Sequence, residues 1–329
     1  MALFLSKSEV NSLLTMRECI DVVEEAFREL TLGTAGLPRR VSLQIPMEDG
    51  WLGVMPAFLT QAGSLTTKIV TVYPHNVTKH SIPSVSAAII VNNIETGRVE
   101  AVMDGSQITA MRTGAVSGVA AKYLARDEAD RVGLFGAGVQ ARKQLQAIRE
   151  VRRIRSVAVY DTNKELAKNL AAQSSADGSV TASVAVNPDE AVRDSDIVVT
   201  ATTSSTPVFN GRLLRPGTHV SAIGAFTPTM RELDSTTVST SKIIVDSIEA
   251  ALEEAGDILI PIKEGVIQRQ DIWAELGEIV TGRKRGRTSE EEKTLFKSVG
   301  LGIQDAAVAK LVFQRAQSQG IGTQFDFEK

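Results

Sequence analysis

A glycine-rich turn at positions 136–141 contains the residue types that bind a pyrophosphate. It reads GAGVQA and follows a short apolar run that begins at Arg131. Gly136 permits a tight turn out of a strand, Gly138 lets a phosphate approach the backbone, and Ala141 allows the next helix to pack closely. The start of that helix adds free N–H groups and the positive end of the helix dipole. This segment predicts the strand–turn–helix of a dinucleotide-binding unit, with an ordinary α/β turn as the alternative.

An acidic residue lies at the spacing expected for the adenosine ribose of such a dinucleotide. Asp161 ends a second apolar run and follows Gly138 by 23 residues, close to the spacing of about 20 at which a carboxylate accepts a ribose hydroxyl. Its charge would repel a 2′-phosphate and therefore favours NADH. Lys164 follows closely and would reduce that repulsion, so NADPH is the alternative cofactor.

Several cationic side chains precede this unit, and two of them lie among apolar or small residues. Lys68 interrupts an apolar, β-branched run, where a buried ammonium is costly without a partner. Strand alternation offers a solvent-facing position as the alternative. Arg112 lies in a helix of small residues, and its guanidinium suits bidentate capture of a carboxylate; a surface arginine is the alternative. Together with Arg39 and Arg40, these side chains would select a small carboxylate substrate.

Composition limits the classes of protein to which the chain can belong. The 329 residues are long for a single core and favour two domains. A net charge of −3 gives no indication of a nucleic-acid-binding or membrane-binding surface. The basic run 283–287 is followed by acids at 290–292, and we interpret the pair as a solvated loop and a helix start capped by Ser289.

The cysteine and histidine content indicates neither disulfides nor a metal centre. Cys19 is the single cysteine, and it lies in an amphipathic helical pattern typical of a core residue. His75, His80 and His219 lack the spacing of zinc ligands, so no metal is predicted. The chain shows neither a signal-peptide pattern nor a long apolar run, which favours a cytoplasmic protein.

The first 125 residues have the pattern of an α+β domain. Helical periodicity over residues 8–32 predicts an amphipathic helical stretch that ends at Gly33. Consecutive strands without helices between them favour an antiparallel or mixed sheet. A small-residue helix at 108–124 then leads to the next domain. The predicted strands are 41–45, 51–55, 65–73, 84–91 and 98–103.

From about residue 130, strands and helices alternate. This pattern predicts an α/β fold with a Rossmann-type, doubly wound parallel sheet. Ligands of such sheets lie beyond the carboxyl ends of the strands, where Thr202 and Gly224 are expected to join Gly136 and Asp161. A final helix from Asp305 to Gly320 is expected to pack on the first domain. The predicted strands are 131–135, 156–160, 180–186, 196–201, 218–223 and 242–246.

Taken together, these segments resemble the ornithine cyclodeaminase/μ-crystallin family along nearly the whole chain. The resemblance implies a homodimer in which residues 1–125 and 305–329 form a substrate-binding and dimerisation domain and residues 126–304 bind the dinucleotide. The segments that carry the resemblance are MPA at 55–57, LTTK at 65–68, ETG at 95–97, VMD at 102–104, RTGA at 112–115, GAGVQA at 136–141, RELD at 231–234 and GLGIQD at 300–305.

The resemblance also implies which residues form the site. Arg40, Lys68 and Arg112 are expected to hold the carboxylate and reacting centre of the substrate, and Lys68 and Arg112 are the predicted catalytic residues. The predicted substrate-binding residues are Arg40, Met55, Lys68, Arg112, Phe226 and Thr227. The predicted cofactor-binding residues are Gly136, Ala137, Gly138, Val139, Gln140, Asp161, Thr162, Asn163, Thr202, Gly224 and Leu301.

One position departs from the cyclodeaminases of this family. Those enzymes have an aspartate after the Gly-Gly or Gly-Ala that ends the fifth sheet strand, where it handles water and protons. This chain has Phe226 at that position. A phenyl ring cannot act as a general base or pair with an ammonium group, which argues against ornithine cyclodeaminase activity. The alternative interpretation of Phe226 is a core residue that fills a gap.

Reduction of a preformed cyclic imine requires less of the protein than deamination does. The enzyme must orient the ring, bind its carboxylate and exclude water. We therefore predict an NAD(P)H-dependent reductase of cyclic α-imino acids, with 1-pyrroline-2-carboxylate as the first substrate and piperideine-2-carboxylate as the second. Alanine dehydrogenase, ornithine cyclodeaminase and a non-catalytic binder of NAD(P)H or small ligands are the alternatives, in that order. No nucleic-acid or membrane partner is expected.

Overall fold

The computed structural model describes residues 1–327, which form twelve helices and sixteen strands. The helices are α1 (Lys7–Ser12), α2 (Met16–Leu32), α3 (Asn76–His80), α4 (Gly105–Leu124), α5 (Val139–Val151), α6 (Lys164–Ser175), α7 (Pro188–Arg193), α8 (Ser235–Ser239), α9 (Ile248–Glu254), α10 (Gly256–Lys263), α11 (Leu276–Val280) and α12 (Gly302–Gln319). The strands are β1 (Ala2–Leu5), β2 (Ala35–Gly36), β3 (Val41–Ile45), β4 (Gly50–Leu59), β5 (Ser64–Val72), β6 (Val85–Asn92), β7 (Val99–Asp104), β8 (Arg131–Phe135), β9 (Ser156–Tyr160), β10 (Thr181–Val184), β11 (Ile197–Thr200), β12 (His219–Ala222), β13 (Lys242–Val245), β14 (Ile272–Glu275), β15 (Thr294–Lys297) and β16 (Thr323–Phe325).

The chain divides into two compact units. Unit 1 contains Met1–Arg112 together with the chain from Leu301 onward, and unit 2 contains Thr113–Gly300. The sequence had suggested boundaries at 125/126 and 304/305. In the structure, the first boundary lies within α4, between Arg112 and Thr113. The second boundary lies between Gly300 and Leu301, just before α12, so the whole of α12 belongs to unit 1. No helix within residues 1–327 is long and apolar enough to cross a membrane.

Unit 1 is built on a mixed sheet with the strand order β16-β1-β7-β6-β5-β4-β2, and β3 also pairs with β4. Helix α12 packs against β4, β5 and α2. Side chains of β5 therefore alternate, with Ser64, Thr66, Lys68 and Val70 buried. This alternation brings Lys68 to the covered face of the sheet and excludes the solvent-facing alternative.

The helical stretch predicted over residues 8–32 consists of two helices. Ser6 starts α1 through a capping box with Glu9. Thr15 starts α2 by accepting a hydrogen bond from the N–H of Glu18. A second cap after α1 thus begins a new helix, and α2 ends at Gly33 as predicted, with a left-handed φ of 75°. Cys19 is buried in α2, which confirms its interpretation as a core residue.

Unit 2 contains an eight-stranded sheet with the order β10-β9-β8-β11-β12-β15-β13-β14, and its strands are parallel. The strand order reverses between β8 and β11, which is the position where doubly wound sheets bind ligands. Buried apolar side chains cover both faces of the sheet. The Rossmann-type prediction is confirmed for this unit.

Two strands of this sheet were not predicted, and the helix expected at 290–292 is absent from the structure of this segment. Residues 289–293 form a turn in which the carboxylate of Glu292 accepts hydrogen bonds from the N–H and Oγ1 of Thr288. Arg287 donates to the carbonyls of Leu124 and Gly217. The turn thus leads directly into β15, which lies between β12 and β13, and β14 forms the edge of the sheet.

Candidate functional site

The glycine turn of unit 2 has the geometry that a pyrophosphate requires. Gly136 has a φ of 97°, and a Cβ there would lie 2.5 Å from the carbonyl oxygen of Ala201. Gly138 starts α5 with an ordinary φ of −78°, and within residues 1–327 no atom lies within 4 Å of a Cβ added there. No described side chain caps this helix start. The turn therefore presents uncapped helix N–H groups to open space, which fits a dinucleotide phosphate.

Asp161 lies beside this turn and is hydrogen-bonded to it. One carboxylate oxygen accepts from the N–H of Ala137 at 2.7 Å, and the other accepts from the N–H of Asn163 at 2.7 Å. Each carboxylate oxygen has a second acceptor position, so a ribose hydroxyl can still donate to Asp161. The side chain of Asn163 caps α6 instead, and Thr162 and Lys164 are exposed.

The remaining residues predicted in unit 2 follow the carboxyl ends of its strands. Thr202 comes two residues after β11, and Gly224 comes two residues after β12. Val139 and Gln140 open α5; the side chain of Val139 is 64% exposed, and Oε1 of Gln140 has no hydrogen-bond partner within the described chain. Since the strands are parallel, all of these residues share the carboxyl edge of the sheet with Gly136 and Asp161, as the sequence predicted.

Glu232 is a buried acid at this edge that the sequence did not single out. Its carboxylate accepts from the N–H and Oγ1 of Thr202, at 2.7 and 2.8 Å. It also accepts from the N–H groups of Gly224 and Ala225, at 2.7 and 3.2 Å, and from Oγ1 of Thr200 at 2.9 Å. Five donors thus converge on one carboxylate.

A buried ion pair supports Glu232 from the protein interior. Oδ1 of Asp257 accepts the N–H groups of Glu232 and Leu233, and Oδ2 lies 3.0 Å from Nζ of Lys297. Burial raises the pKa of Glu232, and the nearby Asp257 raises it further, whereas Lys297 and the hydrogen bonds from Thr202 oppose the rise. The donors around Glu232 are those that an ionised carboxylate requires.

In unit 1, Lys68 forms a buried ion pair. Its Nζ lies 2.6 Å from Oδ2 of Asp305, and both side chains are 1% exposed. The pairing of β4, β5 and β6 places Met55 and Ile89 directly beside Lys68 in register, and both are buried. Apolar residues therefore flank Lys68 on both neighbouring strands, and Asp305 is the acid that compensates its ammonium.

Arg112 shares the same carboxylate. Its Nε donates to Oδ1 of Asp305 at 3.2 Å, and its NH1 group donates to Oε1 of Gln304 at 2.8 Å. Burial lowers the pKa of Lys68 to about 7; Asp305 opposes this change by attraction, whereas the charges of Arg112 and Arg40 lower the pKa further. Arg40 is therefore close enough to Lys68 to act on its charge.

This arrangement is suited to binding an organic anion. Lys68 and Arg112 are both nearly buried, and one carboxylate compensates the two of them. Arg40 adds a third cation to their surroundings. When Lys68 is protonated, the cluster carries an excess of positive charge in a poorly solvated region, where a charge-assisted hydrogen bond to a carboxylate is strong. The site can thus hold a small carboxylate beside a lysine that titrates near neutral pH.

Phe226, Thr227 and Leu301 are three further residues that the sequence predicts for the site. Phe226 and Thr227 belong to unit 2 and are partly buried. Leu301 was predicted to bind the cofactor, but it lies in unit 1, where it is buried at the start of α12. Within residues 1–327, no group of His, Cys, Asp and Glu is placed to hold a metal ion.

The sequence reasoning missed Asp305, Gln304 and Glu232 as site residues. A signal existed for Asp305, because a lysine inside a buried strand requires an acid, and this residue ends one of the segments that carry the family resemblance. For Glu232 there was a weaker signal of the same kind, since it also belongs to such a segment. Neither signal identifies the partner without the tertiary structure.

Comparison with known proteins identifies the family. The model of the ornithine cyclodeaminase/mu-crystallin family matches residues 1–320. The chain belongs to this family. A family member from Bacillus cereus, a Delta(1)-pyrroline-2-carboxylate reductase, is 40% identical over 326 residues, which cover 99% of this chain and 100% of the relative.

Solved structures of the family extend the comparison. The Thermococcus litoralis Delta(1)-pyrroline-2-carboxylate reductase, in complex with NADH and L-proline, is 47% identical with a TM-score of 0.96, covering 98% of this chain and 100% of its own. An archaeal alanine dehydrogenase dimer with bound NAD is 42% identical with a TM-score of 0.94, covering 99% of each chain. These similarities confirm the fold class and the family resemblance.

Proposed function

We propose that the protein reduces 1-pyrroline-2-carboxylate to L-proline with NADH. The observation that carries the proposal is the buried pair of Lys68 and Arg112 on the single carboxylate of Asp305. Support also comes from the similarity to reductases of this substrate across almost the full length of the chain. The protein is accordingly an NAD(H)-dependent oxidoreductase that acts on a C=N bond.

The reaction converts one C=N bond into a C–H bond and an N–H bond. When bound, NADH supplies the hydride that the imine carbon accepts. The substrate nitrogen either arrives protonated or receives its proton during the reaction. Arg112 and Lys68 bind the carboxylate of the ring, and this contact fixes the ring's position because the carboxylate is attached directly to the reacting carbon.

Lys68 is the residue of the described site best suited to hold or supply a proton. A lysine with a pKa of about 7 is near the value at which a general acid works best at neutral pH. Nζ keeps its contact with Asp305 in either role. A Lys68 that donates the proton and a Lys68 that supplies only a fixed positive charge predict different behaviour for an arginine at this position.

The cofactor assignment rests on the residues at the carboxyl edge of the sheet in unit 2. The open space at Gly138 and the uncapped start of α5 fit a pyrophosphate. Asp161 fits a ribose with a free 2′-hydroxyl and disfavours a 2′-phosphate, which supports NADH over NADPH. The relatives with bound NADH or NAD support the same choice.

Alanine dehydrogenase is the second candidate function. The observation in its favour is the 42% identity to the archaeal alanine dehydrogenase, whose substrate also carries a carboxylate. Oxidative deamination of alanine needs a group that handles water and ammonia. Phe226 cannot be that group, and a phenyl ring at this position suits a flat, apolar ring instead.

Turnover assays with three substrates distinguish the candidates. The purified protein is mixed with NADH and 1-pyrroline-2-carboxylate or with NADH and pyruvate plus ammonia, and the nicotinamide absorbance is followed. With ornithine and NAD, the released ammonia is measured instead, because cyclodeamination leaves no net change in the cofactor. We expect fast NADH oxidation with the imine alone. A preference for pyruvate plus ammonia would replace the proposal by alanine dehydrogenase, and ammonia release from ornithine would show cyclodeaminase activity.

The variant Phe226→Asp tests the role assigned to this position. We expect NADH affinity to be retained and imine reduction to fall, because a carboxylate replaces an apolar surface beside the ring. Slow deamination of ornithine is the gain expected from the new acid. Unchanged imine reduction would show that Phe226 has no part in substrate choice.

The assembly and domain roles belong to the same proposal. We infer a homodimer, in line with the dimer of the archaeal relative, and we assign substrate binding and dimerisation to unit 1 and cofactor binding to unit 2. The sites proposed for Arg40, Met55, Thr227 and Leu301 stay predictions, as does a cytoplasmic location. Light scattering of the purified protein would test the dimer.

A further inference from the structure

A single buried carboxylate joins the loops that follow two neighbouring strands of unit 2. Glu232 is fully buried and accepts from Thr202 in the loop after β11 and from Gly224 and Ala225 in the loop after β12. The loop after β11 donates to Oε1 of this carboxylate and the loop after β12 donates to Oε2. Neither loop can therefore move without breaking hydrogen bonds to a buried charge, which is costly.

The position of these loops in the sheet indicates which half of a dinucleotide they face. Strand β8, which precedes the glycine turn, pairs with β9 on one side and with β11 on the other. Asp161 follows β9, so the adenosine half belongs on that side of the turn. The nicotinamide half then extends over the carboxyl ends of β11 and β12, where the loops tied to Glu232 lie.

We propose that Glu232 is a positioning residue for the nicotinamide half of NADH, acting through the loops at Thr202 and Gly224. This inference rests on the NADH dependence proposed above. Glu232 itself does not contact the cofactor in this account. It holds the backbone of both loops at the height that the nicotinamide and its ribose require.

The local packing shows how closely the loops follow this carboxylate. A Cβ added at Gly224 would overlap Oε1 of Glu232 and the carbonyl oxygen of Thr202. Position 224 therefore requires glycine because the backbone lies directly against the acid. The ion pair of Asp257 and Lys297 balances its own charge, so the charge of Glu232 is compensated by the five donors around it.

The variant Glu232→Gln is the direct test, with two ligands measured by direct binding. An amide keeps the size of the side chain but points an N–H₂ group at N–H and O–H donors. We expect the Kd for NADH to rise by about tenfold. The Kd for ADP-ribose, which lacks the nicotinamide, should stay within about twofold, because Gly136 and Asp161 follow β8 and β9, whereas the loops that donate to Glu232 follow β11 and β12.

A milder variant covers the case in which Glu232→Gln does not fold. Thr200 is buried and donates one hydrogen bond to Glu232, and it was not predicted to bind the cofactor. Thr200→Val preserves its shape and should weaken NADH binding by about threefold, again with ADP-ribose nearly unchanged.

Two matched controls separate positioning from a general loss of stability. Glu29 is a buried carboxylate of unit 1 that accepts from the N–H groups of Gln61 and Ala62; Glu29→Gln should lower thermal stability and leave both Kd values unchanged. Thr294 is a buried threonine at the amino end of β15, so Thr294→Val is the control for Thr200→Val.

The binding measurements with NADH and ADP-ribose test the role of Glu232 whether or not the protein reduces the imine. Selective weakening of NADH in either variant supports it. Equal weakening of both ligands, or no change in NADH binding, overturns it and assigns Glu232 a structural role only. A wild-type protein that binds NADH but does not reduce the imine would contradict the proposed substrate, while the comparison of NADH with ADP-ribose would still decide the role of Glu232.

Discussion

The ion pair of unit 1 predicts how imine reduction depends on pH. If catalysis requires charged Lys68, kcat/KM should be constant below pH 7 and fall above it, because the pKa of Lys68 is about 7. The charged fraction then falls about tenfold for each further pH unit. The value of kcat/KM reports the free enzyme, which is the state that the structure describes.

Replacement of Asp305 by a neutral residue should shift the pH profile of kcat/KM to lower pH. Asp305 stabilises the charged form of Lys68 from 2.6 Å, so Asp305→Asn should lower the pKa of Lys68. An opposite charge at such a distance typically shifts a pKa by about 1–3 units. We therefore expect the decline in kcat/KM to begin at least about one pH unit lower. At pH 7 the charged fraction of Lys68 would then fall from about one half to about one tenth, a loss of about fivefold or more.

The assay is a series of initial rates of NADH oxidation with 1-pyrroline-2-carboxylate across the pH range. The imine nitrogen titrates equally for every variant, so the displacement between profiles isolates the protein group. Lys68→Arg is the companion variant, because arginine stays charged throughout. Lys68→Arg should therefore abolish the decline in kcat/KM above pH 7. Its kcat should fall by about 100-fold or more if Lys68 donates the proton, and much less if Lys68 only binds the carboxylate.

Two results would refute this reasoning. Superimposable profiles for the wild type and Asp305→Asn would show that Asp305 does not set the charge of the titrating group. A decline that persists in Lys68→Arg would show that another group titrates. The affinity for NADH serves as the control, and it should be the same in all three proteins because the glycine turn belongs to unit 2.

Three further predictions concern unit 2. Burial lowers the pKa of His219 to about 3, so the unfolded state binds more protons than the folded state between pH 6.5 and 3. The free energy of unfolding should therefore fall by roughly 4 kcal/mol as the pH drops through that range. Acid unfolding of His219→Leu should show a shallower pH dependence. Gly138→Ala should fold normally and weaken NADH binding about tenfold or more. Gly136→Ala should instead lower the melting temperature, because Gly136 alone of the two has a left-handed φ and a crowded Cβ position. Equal effects of the two variants would contradict this account. Asp161→Ser should raise kcat/KM for NADPH relative to NADH, as measured by rates with both cofactors, and an unchanged ratio would exclude Asp161 as the selective residue.

The elements of the fold were largely predictable because their signals are local. The alternation of β5 and the glycine turn at 136–141 depend on residues close in sequence, and both appear in the structure where predicted. The strands β14 and β15 were not predicted, although they are as long as β11 and β12, which were predicted. In the first helical segment, the cap at Thr15 was overlooked because the apolar periodicity continues across it.

The candidate site was predictable only in part. Residue type and context indicated that Lys68 and Arg112 were unusual, and the resemblance to the family gave them a role. The partner of both is Asp305, which is 237 residues from Lys68 in sequence. Only the packing of α12 on β4 and β5 brings it there, and only then does the burial that shifts the pKa of Lys68 become apparent.

Sequence and tertiary structure also contribute separately to the carboxyl edge of the sheet in unit 2, where we propose that the cofactor binds. The sequence by itself determined that a glycine turn and an acid follow two strands, because backbone conformation at Gly136 and the spacing to Asp161 are local properties. The tertiary structure decided that Thr202, Gly224 and Glu232 meet, since their strands pair through a sheet whose order differs from the order of the chain. Hydrogen bonds between distant residues depend on that pairing, and no local pattern records it.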